Sequence, residues 1–124
     1  MTQEQKDLLL KDLCTRLPYG VKIQVDDRVE ILEGISILDN VAEYGSFLSS
    51  GIEEIKPYLF PLSSMTDEQK VIYGDLCQDI IHSLAWDMQA ALNELVDWLN
   101  AHHFDYRGLI PMGLAIDATD KNIY

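Results

Sequence analysis

A chain of 124 residues, 48% hydrophobic and 24% charged, has the size and composition of one globular domain able to bury roughly two thirds of its unfolded surface, which excludes a disordered segment. Its 21 Asp and Glu against 9 Lys and Arg leave a formal net charge of -12, and the basic residues, from Lys6 to Lys121, never cluster. That argues against direct nucleic-acid binding, which draws on counterion release by grouped cations, and against anionic membranes.

The first element predicted is a helix over 2–17, with Leu8, Leu9, Leu10, Leu13, Cys14 and Leu17 recurring at three and four residues and Pro18 closing it. Thr2 with Gln5 forms a capping box, in which hydroxyl and amide satisfy backbone N–H groups of the first turn. The start "MTQEQKDLLLKDLC" returns as "MTDEQKVIYGDLC" from Met65, but the following residues share nothing, so the likeness reflects the same capping chemistry at Thr66 and Gln69 and not a duplicated module. The polar start is no signal peptide, and no apolar run reaches the length of a membrane span. Cys14 and Cys77, 63 residues apart on apolar helix stripes, lack the spacing of a disulfide scaffold. Buried thiols in a cytoplasmic protein are expected.

From Val21 the period changes to two. Val21, Ile23 and Val25 alternate with polar residues, Asp26-Asp27 is a turn, and Val29 and Ile31 resume the alternation as the second strand of a hairpin. Gly34 breaks or bulges that strand, "ISIL" is a further short strand, and Asp39-Asn40 is a turn before "VAEYGSFL". The prolines and serines of "SSGIEEIKPYLFPLSSM" mark an ordered connection with room for one short helical turn or edge strand, and not a flexible linker. One long amphipathic helix follows, from Thr66 to about Ala101, and a short C-terminal segment whose last residues fray completes an α+β domain around an antiparallel meander of three to four strands.

At about 100° per residue, the polar face of the long helix carries Asp75, Asp79, His82, Trp86, Asn93 and Asp97. Asp75, Asp79 and His82 stand at metal-ligand spacing, with His102, His103 or Asp105 available to complete a shell, yet they match no known metal motif, and a solvated or partner-binding face is the better reading. Trp86 needs cover from the fold or from a partner. The second candidate is "HHFDYRG", where His102, His103, Asp105, Tyr106 and Arg107 offer a base, an orienting carboxylate and an anion binder. The simpler account turns Phe104 and Tyr106 inward and pairs Asp105 with Arg107 on the surface. No catalytic residue, metal or cofactor is assigned.

The blocks "DLCTRLPYGVKIQV", "EIKPYLFPLSSMTDEQ" and "DWLNAHHFDYRGLIPMGLAID" cover most of the chain. Through them it resembles a family of small uncharacterised proteins carried by prophages and mobile elements of intestinal bacteria. The resemblance implies a bacterial cytoplasm and an accessory role, and carries over no functional residue. Charge, Trp86 and the missing catalytic signatures together favour a non-enzymatic module that binds a protein partner, basic by complementarity. A structural or assembly subunit, which would form homo-oligomers, ranks next, then a nucleic-acid mimic or a small metal-dependent hydrolase.

Overall fold

The computed structural model describes residues 1–84 and 87–124. Its elements are α1 (Gln3–Arg16), β1 (Lys22–Val25), β2 (Arg28–Ser36), β3 (Val41–Tyr44), β4 (Leu48–Gly51), β5 (Ile55–Pro61), α2 (Asp67–His82), α3 (Met88–Ala101), β6 (Phe104–Asp105) and β7 (Ile116–Asp117). The α+β class holds, but the sheet exceeds a three- or four-stranded meander: its order is β4-β3-β2-β1-β5-β6, with β7 also on β5. β1 to β5 pair antiparallel, whereas β6 and β7 run parallel to β5.

Within the ordered connection "IKPYLFP" forms a strand, β5, but an internal one of the sheet and not the edge strand that the two prolines suggest. It pairs with β1 over Ile55–Pro57 and with β7 and then β6 over Tyr58–Pro61, so neither proline sits between two complete ladders.

The hairpin at Asp26-Asp27 forms with a two-residue turn, Val25 facing Arg28. Such a turn fixes the parity of the second strand: Ile23 pairs with Glu30, and Val29 and Ile31 pair with Gln24 and Lys22 on the outer face. Val29 and Ile31 are accordingly exposed, and Leu32 is the residue of β2 that enters the core. β2 runs through Gly34, where its register with β3 shifts between Leu32 and Gly34, so "ISIL" is not a separate strand: Ile35 and Ser36 end β2, and Ile37 and Leu38 belong to the turn before β3.

The main core lies on the inner face. Leu9 and Leu13 of α1, with Leu109, Leu114 and Ala115, cover Val21, Ile23, Leu32, Ala42, Tyr44, Ile55 and Leu59. Cys14 points away and is exposed, correcting its placement on the buried stripe, because Leu9, Leu13 and Arg16 occupy the inner side of α1. The C-terminal residues are anchored and not frayed: Lys22 Nζ donates to Ile123 O, and the Tyr124 hydroxyl donates to Tyr58 O at 2.8 Å.

The predicted long helix is two. The first stops at Ser83, whose extended backbone breaks the ladder while its hydroxyl and amide donate to Ile80 O. The second starts over Leu84 O, which accepts from the amides of Asp87 and Met88. The chain leaves the end of β5 through α2 and must return to Phe104, which pairs with Phe60. α3 therefore runs back against α2, and His82, Ser83 and Leu84, with Asp87 and Met88, lie at the far end of a helical hairpin. A second, smaller core of Met65, Leu99 and Phe104, with Phe60, Tyr73, Leu95 and Trp98 against it, holds the near end.

Both capping boxes are present, each side chain and backbone satisfying the other. Thr2→Ala and Thr66→Ala are each expected to lower the unfolding free energy by about 1 kcal/mol. In urea denaturation the double variant should lose the sum to within about 0.5 kcal/mol, since the two caps share no partner.

Candidate functional site

The "HHFDYRG" segment begins where α3 ends. His103 takes a left-handed backbone, φ 60°, which turns the chain from α3 into β6. This sends neighbouring side chains opposite ways. His102 is exposed, with its Nδ1 2.9 Å from Trp98 O. His103 is buried and stacked on Tyr124, ring centroids 3.7 Å apart. Asp105, also buried, accepts from the amides of Leu109 and Ile110, both at 2.9 Å, and so shapes the following loop. The Tyr106 hydroxyl donates to Asn100 Oδ1, and Arg107 Nε reaches Asp12 Oδ1 at 3.1 Å. Asp105 and Arg107 do not pair with each other, and among the described residues no hydrogen bond or ion pair joins His103 to Asp105; of the five, Tyr106 and Arg107 meet, Arg107 Nη2 donating to the Tyr106 hydroxyl at 3.3 Å, and the group forms no acid–base constellation.

Asp12 and Arg16, which the sequence reasoning missed, organise this region. Both are wholly buried, and Arg16 Nε donates to Asp12 Oδ2 at 2.7 Å while its Nη2 donates to Phe104 O. Asp12 thus holds two guanidiniums, Arg16 and Arg107, each about 5 Å from the Tyr106 ring centre (5.1 and 5.0 Å). The signal was available: Asp12 and Arg16 stand three and seven residues after Leu9, inside the apolar stripe, at a spacing that pairs charges. Arg16 Nη1 and His103 Nδ1 are buried without a hydrogen-bond partner among the described residues. Burial, then the Arg16 charge, lowers the His103 pKa from 6.5 to about 4, so the imidazole is neutral at neutral pH.

The first candidate face divides with its helix. Asp75, Asp79 and His82 lie on the exposed side of α2, where His82 Nε2 is 3.0 Å from Gln78 Oε1. Asn93 accepts from Gln89 on the outside of α3, and Asp97 approaches Tyr19, whose hydroxyl is raised by desolvation and by that carboxylate. Trp86 lies outside the described residues. Apolar side chains are more prominent here than the acidic ones. Ile81 and Leu84 are 69% and 56% exposed, and Met88 and Leu92 extend the apolar surface over the first turns of α3. The stripe of α3 is buried only at its near end, through Leu95 and Leu99, and continues past the core toward the hairpin end. Asp79 and Asp87 stand on the same turns.

Among the described residues no three of His, Cys, Asp and Glu gather as a metal site, and no helix is long and apolar enough to cross a membrane. Comparison with known protein families, curated proteins and solved structures finds no match for this chain.

Removing Asp12 leaves two guanidiniums without their counter-charge, so Asp12→Ala is expected to cost about 3–5 kcal/mol in chemical denaturation. The sign for His103 follows from linkage. Below pH 6.5 the unfolded chain takes up a proton that the folded chain refuses until about pH 4, so its contribution is intact above 6.5 and lost as pH falls toward 4. His103→Asn, which tolerates the left-handed backbone, should flatten that part of the decline when stability is measured across the same pH range.

Proposed function

We propose that the protein is a non-enzymatic, acidic protein-interaction module whose docking surface is the far end of the α2–α3 hairpin, and, from the sequence resemblance, an accessory protein of a bacterial mobile element. The observation that carries the docking reading is the exposed group Ile81, Leu84, Met88 and Leu92 at an end held away from both cores. Single exposed aliphatic residues are ordinary, but several on one protruding end form the apolar centre of an interface with a charged rim.

Charge supplies the partner's chemistry. Residues 67–101 hold seven carboxylates against Lys70 alone, so the complementary surface is a basic one with apolar side chains. A second copy of the chain is the competing occupant, and its own charge of -12 opposes it.

Affinity capture of the tagged protein from bacterial lysate, at low and moderate salt, tests the reading beside Ile81→Ser/Leu84→Ser/Met88→Ser. Exposed positions cost little stability, within about 0.5 kcal/mol each, so the variant should stay folded. The expected result is a basic partner retained by the native protein, weakened by salt and lost from the variant. Equal capture by both proteins, or self-association above the 14.1 kDa monomer that the variant abolishes, would count against it.

A further inference from the structure

The opposite side of the molecule has an open sheet edge. β4 is the terminal strand and pairs only with β3, which leaves the N–H and C=O groups of its outer edge without strand partners. Its sequence, Leu48-Ser49-Ser50-Gly51, contains none of the lysines or prolines that commonly blunt such edges. The turn leading into it is unusual as well. Gly45, Ser46 and Phe47 all have positive φ (57°, 60° and 134°), and Phe47 is fully exposed. A bulky residue here holds a backbone conformation suited to glycine while its ring is left to solvent.

Beside this edge runs an open trough of about 740 Å³ on the outer face of β2, β3 and β4. Glu33, Asp39 and Glu43 line it together with Val41, Phe47 and Leu48, and no cationic residue does. Glu33 accepts from Ser46 N and Asp39 from the Ser36 hydroxyl, whereas Glu43 has no hydrogen-bond or ion partner among the described residues.

We propose that β4 accepts an added strand, an extended basic segment of a partner protein. The segment pairs its backbone along Leu48–Gly51, places alternate lysine or arginine side chains toward the trough carboxylates, and rests an apolar residue on Phe47. The alternation of a strand supplies this geometry: Ser49 and Gly51 face the same side as Glu43 and Val41, their ladder partners. Main-chain bonds give the affinity, and the acidic lining selects a basic sequence and rejects a second copy of this chain. This surface is separate from the hairpin end.

The probe is a capped peptide of alternating lysine and valine, with alternating glutamate and valine as control, added to the full chain at low salt and followed by amide NMR. The lysine peptide is expected to shift the amides of residues 47–51, and the control is not. Phe47→Gly should weaken binding about tenfold while stability holds or rises through relief of the turn, an outcome that a merely structural Phe47 would reverse. Glu43→Lys should weaken it to a similar degree, and Ile81→Ser/Leu84→Ser should leave it unchanged, so that failure of the hairpin reading stays distinguishable. The proposal is overturned if the 47–51 amides do not move, if Phe47→Gly binds as tightly as the native protein, or if residues 47–51 are buried between two copies in solution.

Discussion

Asp12 shares its carboxylate between Arg16 and Arg107, and much of the fold depends on that arrangement. It joins the last turns of α1 to a segment some ninety residues later in the chain, Arg16 reaching the Phe104 carbonyl and Arg107 returning to Asp12 at separations of 88 and 95 residues. Three charges taken from water are costly to assemble and gain little over an apolar core of the same shape, but once they are buried, losing one strands the others. The triad therefore acts as a constraint more than as a reservoir of stability. It dictates how α1 meets the turn out of α3, and so where β6, the loop after it and β7 must lie.

That constraint engages the most chemically suggestive string in the sequence. Within "HHFDYRG", Arg107 is committed to Asp12, Asp105 to two loop amides, Tyr106 to Asn100, and His103 to a stack with Tyr124 beside a buried guanidinium. Residue types that could supply a base, an acid and an anion binder are present together in the sequence, but the left-handed turn at His103 sends His102 and His103 opposite ways, and only Tyr106 and Arg107 remain in contact. Proximity along a chain says little about convergence when one residue reverses the backbone.

Legibility in the sequence follows the range of the interaction. The capping boxes, the Asp26-Asp27 turn and the irregularity at Gly34 involve residues within a few positions of each other, and all three are readable directly. Which face of β2 turns inward is less legible, because the apolar alternation at Val29 and Ile31 competes with the parity imposed by a two-residue turn, and the turn wins. The internal place of β5 is hidden by Pro57 and Pro61, which read as an edge strand or a turn, since only its distant partners show that the prolines fall where pairing is one-sided. The break at Ser83 escaped notice because α2 and α3 each carry an apolar stripe, and a periodicity count bridges a gap that a serine competing for the helix ladder opens. The candidate face inherited that error: Asp75, Asp79 and His82 belong to one helix, and Asn93 and Asp97 to another. The exposed apolar end emerges only once the hairpin is folded back.

The molecule thus separates into a side whose polar groups are largely committed inside and two surfaces that remain unsatisfied, the hairpin end and the β4 edge. The proposed function rests on the first of these. The most direct measurement is a methyl NMR titration of the full chain with a cationic amphipathic helical peptide of lysine and leucine, following Ile81, Leu84, Met88 and Leu92. The account predicts saturable shifts confined to those methyls and weakened by salt. Methyls that stay unmoved while the peptide binds elsewhere, or does not bind, would contradict it.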